Sequence, residues 1–158
     1  MSVREPRNIN YARDAFKFTL RWEVGADQQG GYTNDPKDPG GETKFGISKR
    51  AFPDLDIKNL TPEKALFIYL ENYWYPSGAD ELDYPLCVVV FDTAFLCGVQ
   101  RATAWLRQTQ DPDEYLEIRK KFHLNKAAHN DWARRYIGGW LNRVADLKRL
   151  LDEAKQGA

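Results

Sequence analysis

The chain has 158 residues and equal numbers of basic and acidic side chains, 23 of each, so no global field draws it to nucleic acid or to a membrane. Hydrophobic residues make up 42 % and aromatic residues 13 %, enough to bury a core, and no repeat or low-complexity tract marks a fibrous or disordered protein.

Residues 1–10, MSVREPRNIN, lack the apolar core of a secretory signal. Residues 10–24 read as a helix, with Tyr11, Ala15, Phe18 and Trp22 at helical spacing and Arg13, Asp14, Lys17 and Arg21 between them. Helix character then stops. Six Gly and two Pro between Gly25 and Gly46, with Asn34, Asp35 and Asp38, are turn chemistry dense enough to exclude helix. Extended pieces at 32–34 and 43–47 are expected to form a small hairpin.

Thr61-Pro62-Glu63 starts the next helix: a capping hydroxyl, Pro at the first position and an acid in the first turn. That helix is expected to end before Pro76. Residues 85–108 read as a further helix, apolar nearly all round at its start and therefore central. Its apolar run, Leu86 to Val99, is broken by Asp92 and too short to span a bilayer. Cys87 and Cys97 would lie roughly 15 Å apart along it, out of disulfide reach, and are expected to be buried thiols of a chain folded in a reducing cytoplasm. Asp111-Pro112 opens a short helix to about Phe122. Asn130 or Asp131 caps a last one, on which Trp132, Tyr136, Trp140, Val144, Leu147 and Leu151 form a stripe expected to be core rather than a sugar-stacking surface. Gly138-Gly139 is expected to kink that helix or admit another backbone.

Charge is uneven along the chain. Residues 80–118 hold eight acids and two bases, and residues 119–158 hold ten bases and four acids. The basic third reads either as a solvated helix face paired with the acidic segment or as a grip on an anionic polymer such as bacterial wall or lipid head groups. The element order is helix, glycine-rich loop or hairpin, then helices, with no strand–helix alternation of a nucleotide-binding sheet.

The chemistry concentrates at residues 22–48. Glu23 closes an apolar helix beside Trp22, where burial would disfavour its charge; a protonated carboxyl is what a general acid needs to protonate a leaving oxygen. Asp35, Asp38 and the hydroxyl of Thr43 follow and could orient a water or steady positive charge on a sugar ring. From the spacing alone Glu23 reads first as a solvated surface acid, Asp35 and Asp38 as turn formers, and Thr43 as a strand residue. His123 and His129, the only histidines, and Cys87 and Cys97 offer no zinc spacing, so neither metal nor cofactor is expected.

Glu23, Gly30-Gly31-Tyr32, Asn34-Asp35-Pro36, Asp38-Pro39-Gly40-Gly41, Thr43 and Gly46-Ile47 together resemble the signature of glycoside hydrolase family 108, the muramidases found among phage endolysins and secretion-associated wall hydrolases. The likeness continues through Ile68-Tyr69, Tyr73-Trp74, Phe91-Asp92 and Gly98. It ends in Gly139-Trp140-Leu141-Asn142-Arg143-Val144, similar to the family's C-terminal segment, often labelled peptidoglycan-binding. Residues 24–29 stand between Glu23 and Gly30, where the family pattern has almost none. The resemblance implies a mainly α, lysozyme-like domain over residues 1–158, with a catalytic part at 1–84 and a helical part at 85–158.

It further implies hydrolysis of the β-1,4 bond between N-acetylmuramic acid and N-acetylglucosamine in peptidoglycan. Glu23 would be the acid and Asp38, Asp35 and Thr43 its candidate assistants, with Tyr32, Asn34, Lys44, Tyr73 and Trp74 as substrate-binding candidates. Rival readings are a lytic transglycosylase cutting the same bond without water, and a non-catalytic wall-binding or secretion-accessory protein. The expected setting is an endolysin: a monomer without nucleic-acid partner or membrane insertion, made in a bacterial cytoplasm and reaching the wall through a membrane pore.

Overall fold

A computed structural model describes residues 3–25 and 30–157. The expected insertion at 24–29 therefore lies mostly outside the described residues. The molecule is mainly α with one small hairpin, the arrangement expected of a lysozyme-like helical domain.

Helix α1 spans Ile9–Val24; Asn8 caps it by accepting from the N–H groups of Asn10 and Tyr11, and Ala12, Ala15, Phe16, Phe18 and Thr19 form its buried face. The glycine-rich segment that follows holds strands β1 (Thr43–Lys44) and β2 (Ile47–Ser48), antiparallel with Lys44 opposite Ile47. Thr33 adds a single bridge to Thr43. Phe45 and Gly46 make the two-residue turn, both in the left-handed region at φ 55° and 71°, as hairpin twist requires. Phenylalanine is unusual there, and two contacts hold it: its ring is fully buried, and its carbonyl accepts from the Tyr69 hydroxyl.

Helix α2 (Pro62–Tyr69) starts as read, with Thr61 accepting from the Lys64 N–H. It then widens into a π-helical turn, Leu70–Trp74, where the Tyr75 N–H reaches back to the Leu70 carbonyl. A short 3₁₀ turn covers Ala79–Glu81.

Helices α3 (Leu86–Cys97) and α4 (Val99–Gln108) replace the one expected helix. The break falls at Gly98, which ends α3 at φ 98°, a value side chains resist, while its N–H still bonds to Ala94. Nearly every residue of α3 is buried, Asp92 included, and the helix packs against α1, α4 and α5. Burying each large apolar side chain contributes about 1.5–3 kcal/mol, which makes α3 the axis of the core. Cys87 and Cys97 are free and buried, and burial pushes the Cys87 thiol up to about 12.

Asp111 caps α5 (Pro112–His129), which runs about two turns past the expected end. Asn130 then caps a four-residue α6 (Asp131–Arg134), and α7 (Ile137–Gln156) lies along α5. The expected single helix is thus broken at 135–136, where the Arg135 and Tyr136 N–H groups bond three residues back and tighten the turn. The break lies before Gly138-Gly139, and beyond their own helical turns neither glycine has a neighbour within 4 Å of where a Cβ would stand, so no other backbone approaches there. The aromatic stripe is corrected with it. Val144, Leu147 and Leu151 are core, but Trp132 is 53 % and Tyr136 46 % exposed, because their spacing faces the core only on a continuous helix.

Candidate active site

Glu23 sits in the last turn of α1. Its backbone is exposed at the helix end, while its side chain is only 24 % exposed. The expected neighbour Trp22 turns away and gives its indole N–H to Asp146 at 2.8 Å. What encloses Glu23 instead is the hairpin tip and α7. A Cβ on Gly46 would stand 3.3 Å from Glu23 Cγ, 3.3 Å from the Tyr69 hydroxyl and 3.0 Å from the Phe95 ring. From α7, Arg143 Nη1 donates to Glu23 Oε1 at 3.0 Å.

Behind Arg143 lies a fully buried polar centre. Asp92 accepts from Arg143 Nη2 at 2.6 Å and Nε at 3.0 Å, from Arg119 Nη1 at 2.8 Å and from Thr19 Oγ1 at 2.7 Å. Burial alone would push the Asp92 carboxyl up, but the two guanidinium groups win and hold it at about 2. For Arg143 burial works against the charge, and Asp92 and then Glu23 outweigh it, so its affinity for the proton is raised. Two arginines and two carboxylates balance in charge, which is the condition for burying such a cluster. Arg119 Nε also donates to His123 Nε2 at 3.2 Å, an arrangement that needs a neutral ring. Desolvation first, then the positive Arg119, lowers the His123 pKa to about 4.

An aromatic floor of Phe16, Tyr69, Tyr73, Phe91 and Phe95 lies below, with ring centres 4.8–6.1 Å apart. Burial and then the Glu23 charge raise the pKa of both Tyr69 and Tyr73, and the Tyr69 hydroxyl and Glu23 Cγ both border Gly46. The π-helical turn, which follows Tyr69 and carries Tyr73, sets this wall.

Of the residues expected from sequence, half-buried Tyr73 packs on Tyr69 and Phe95, the two rings that border the Gly46 tip with Glu23. Trp74 is a correction: it is 1 % exposed and its indole N–H bonds to buried Asp80 at 2.9 Å, so it is a core residue out of reach of substrate. Asp35 and Asp38 close side-chain turns, accepting from the N–H groups of Lys37 at 2.9 Å and Gly40 at 2.8 Å. Thr43 is half-buried in β1 opposite Ser48. Tyr32 donates to Glu42 at 2.7 Å, Lys44 to the Lys58 carbonyl at 2.9 Å, and Asn34 is exposed on the same loop. Among the described residues none of Asp35, Asp38 and Thr43 bonds to Glu23. No group of three His, Cys, Asp or Glu side chains among the described residues could hold a metal ion.

Sequence reading missed Arg143, Arg119 and the part played by Asp92. The signal for Asp92 is a lone carboxylate inside an apolar helix, which demands buried cationic partners. Nothing in the spacing names those partners, because they come from α5 and α7.

The family model for glycosyl hydrolase 108 matches residues 16–98, just over half the chain, from α1 through the end of α3. Among solved structures, that of Brucella abortus SagA is similar: 25 % identity, a TM-score of 0.68, and coverage of 92 % of this chain and 96 % of that one. No curated protein matches the chain.

Proposed function

Because the chain belongs to glycosyl hydrolase family 108, and is a glycoside hydrolase, we propose that it is an N-acetylmuramidase cutting the β-1,4 bond between N-acetylmuramic acid and N-acetylglucosamine in bacterial peptidoglycan. The observation that carries this reading is the setting of Glu23, a shielded carboxylate held by Arg143 on one oxygen and lying against the hairpin tip. A carboxyl so placed protonates the leaving oxygen of a glycosidic bond. Arg143 also bonds to buried Asp92, which fixes its guanidinium against Glu23. Asp38, with Asp35 and Thr43, acts from the loop on the water or on the loop's own shape. Tyr32, Asn34, Lys44 and Tyr73 border the sugar's path. The biological setting in this reading is an endolysin, which accumulates in a bacterial cytoplasm and reaches the wall through a membrane pore to cause lysis.

Glu23→Gln tests the proposal, because the amide keeps an acceptor for Arg143 but has no acidic proton. Lysis of purified wall should fall by about 10²-fold or more, with an unchanged thermal midpoint. Near-normal lysis by the folded variant would overturn the assignment. Mass spectrometry of wall digested in heavy-oxygen water then separates the two chemistries. Hydrolysis adds one labelled oxygen at the new reducing end, whereas lytic transglycosylation leaves an unlabelled anhydro sugar.

A further inference from the structure

The break between α6 and α7 leaves an aromatic surface that the fold does not use. Trp132 and Tyr136 are 53 % and 46 % exposed, and Trp140 is half-buried beside them. Ring centres lie 4.9 Å apart for Trp132–Tyr136 and 6.0 Å for Tyr136–Trp140. Cations stand among the rings. Lys126 Nζ is 5.5 Å from the Trp132 ring, 5.6 Å from Trp140 and 5.8 Å from Phe122, and Arg101 lies 4.8 Å over Phe122. Arg101, Lys126 and Arg135 form no ion pair among the described residues, and the nearby acid, Asp131, is occupied by Arg134 at 3.1 Å. The surface is therefore amphipathic and positively charged, and apart from Arg101 it lies within the 119–158 segment of ten bases and four acids.

Charge complementarity calls for an anionic occupant, and ring geometry chooses among such occupants. A sugar stacks on a free ring face. Here His123 stacks on Trp140 at 5.1 Å with planes 26° apart, Tyr136 stacks on it at 6.0 Å, and Lys126 lies over both Trp132 and Trp140, so these faces are already engaged. The exposed rings of Trp132 and Tyr136 thus stand beside cationic heads on apolar stems. Indole and phenol rings beside lysine and arginine suit the headgroup zone of an anionic bilayer, where the ring body enters the acyl boundary and the cations meet phosphates. No helix among the described residues is long and apolar enough to cross a membrane, so such contact is peripheral. We propose that α6 and the first turn of α7 form a docking surface for an anionic lipid bilayer, with Trp132 and Tyr136 as the inserted rings and Lys126, Arg101 and Arg135 as the headgroup contacts.

Sedimentation of the full chain with phosphatidylcholine vesicles, with and without phosphatidylglycerol, tests this. The protein should sediment with the anionic vesicles only, and less as salt rises. Trp132→Ala/Tyr136→Ala should weaken this binding at least about tenfold, and Lys126→Gln/Arg135→Gln should weaken it and flatten the salt dependence. All four side chains lie outside the core, so thermal midpoints should stay near wild type. Glu23→Gln should bind vesicles normally, which keeps this proposal separable from the enzymatic one. Equal binding to neutral vesicles, or wild-type binding by the aromatic variant, would overturn it. So would binding to purified wall but to no vesicle, which makes the surface a glycan contact, or a lipid-free dimer abolished by Trp132→Ala/Tyr136→Ala.

Discussion

Arg143 joins the candidate acid to the interior, since one guanidinium meets exposed-side Glu23 and buried Asp92 together. Only a planar, forked cation reaches two carboxylates in this way. Asp92→Asn would leave Arg119 and Arg143 short of counter-charge in the core, and breaking a buried pair costs about 3–5 kcal/mol. That is a large share of the roughly 5–15 kcal/mol that holds a domain together, so chemical denaturation should show a sharply lowered midpoint. Arg143→Lys keeps the charge but loses the fork; its midpoint should fall less than that of Asp92→Asn, while wall lysis drops at least about tenfold through misplacement of Glu23. Equal losses of stability and no extra loss of activity would reduce Arg143 to a structural residue. Asp38 invites a different separation. Its turn needs only an oxygen facing the Gly40 N–H, which asparagine also offers. Asp38→Asn should therefore keep the thermal midpoint, and a fall in lysis of about 10²-fold would report a charge acting in the reaction. A larger loss from Asp35→Asn would exchange the roles of the two aspartates.

The hairpin tip is the element that fits the loop to the acid. Gly46 stands at φ 71° with Glu23 Cγ, the Tyr69 hydroxyl and the Phe95 ring within 3.0–3.3 Å of an added Cβ. Gly46→Ala combines a left-handed backbone penalty of about 1–2 kcal/mol with displacement of the tip. It should lower the melting temperature and cut lysis disproportionately, as judged against a hairpin control such as Ser48→Ala; an alanine variant with full activity would place the tip away from the reacting sugar. This element also shows what sequence conveyed. Local signals were readable because their causes are local: Thr61 and Asp111 cap the helices they precede, and the glycine-rich segment excludes helix. Glu23 stood out because a long motif follows it. The breaks at 98 and 135–136 and the π-helical turn were not readable from periodicity, which continues across all three. Trp132 and Tyr136 keep the helical spacing of core residues and are exposed only because α6 stops after four residues. Trp74 sits beside Tyr73 in the motif, yet the π-helical turn leaves Tyr73 against Tyr69 and Phe95 and sends Trp74 to Asp80.

Across the whole molecule, α1, α3, α5 and α7 converge on one buried ionic centre, so its protonation sets how stability depends on pH. His123 is 2 % exposed, accepts from Arg119, and has a pKa lowered to about 4 by burial, then by Arg119, Lys126 and Arg143, with Asp92 opposing them. An unfolded histidine takes its proton near 6.5. Between pH 6.5 and 4 the unfolded chain therefore binds a proton that the folded chain refuses, and stability falls as pH falls through that window. The full effect is on the order of 3 kcal/mol. Asp92 acts lower: held at about 2 against an ordinary value of 3.8, its contribution is present above pH 3.8 and is lost as pH falls toward 2. The stability curve should thus be flat from about pH 7 to 9, fall above that as the raised Cys87 thiol comes into play, decline from about 6.5 to 4, and decline again below. Denaturation midpoints across this range should show the His123 slope in the wild type and in His129→Gln, whose ring is exposed at the end of α5. In His123→Gln the slope between pH 6.5 and 4 should largely vanish, even though the variant starts less stable. A slope that persists unchanged in His123→Gln would mean that other groups carry it and that His123 does not titrate with the centre.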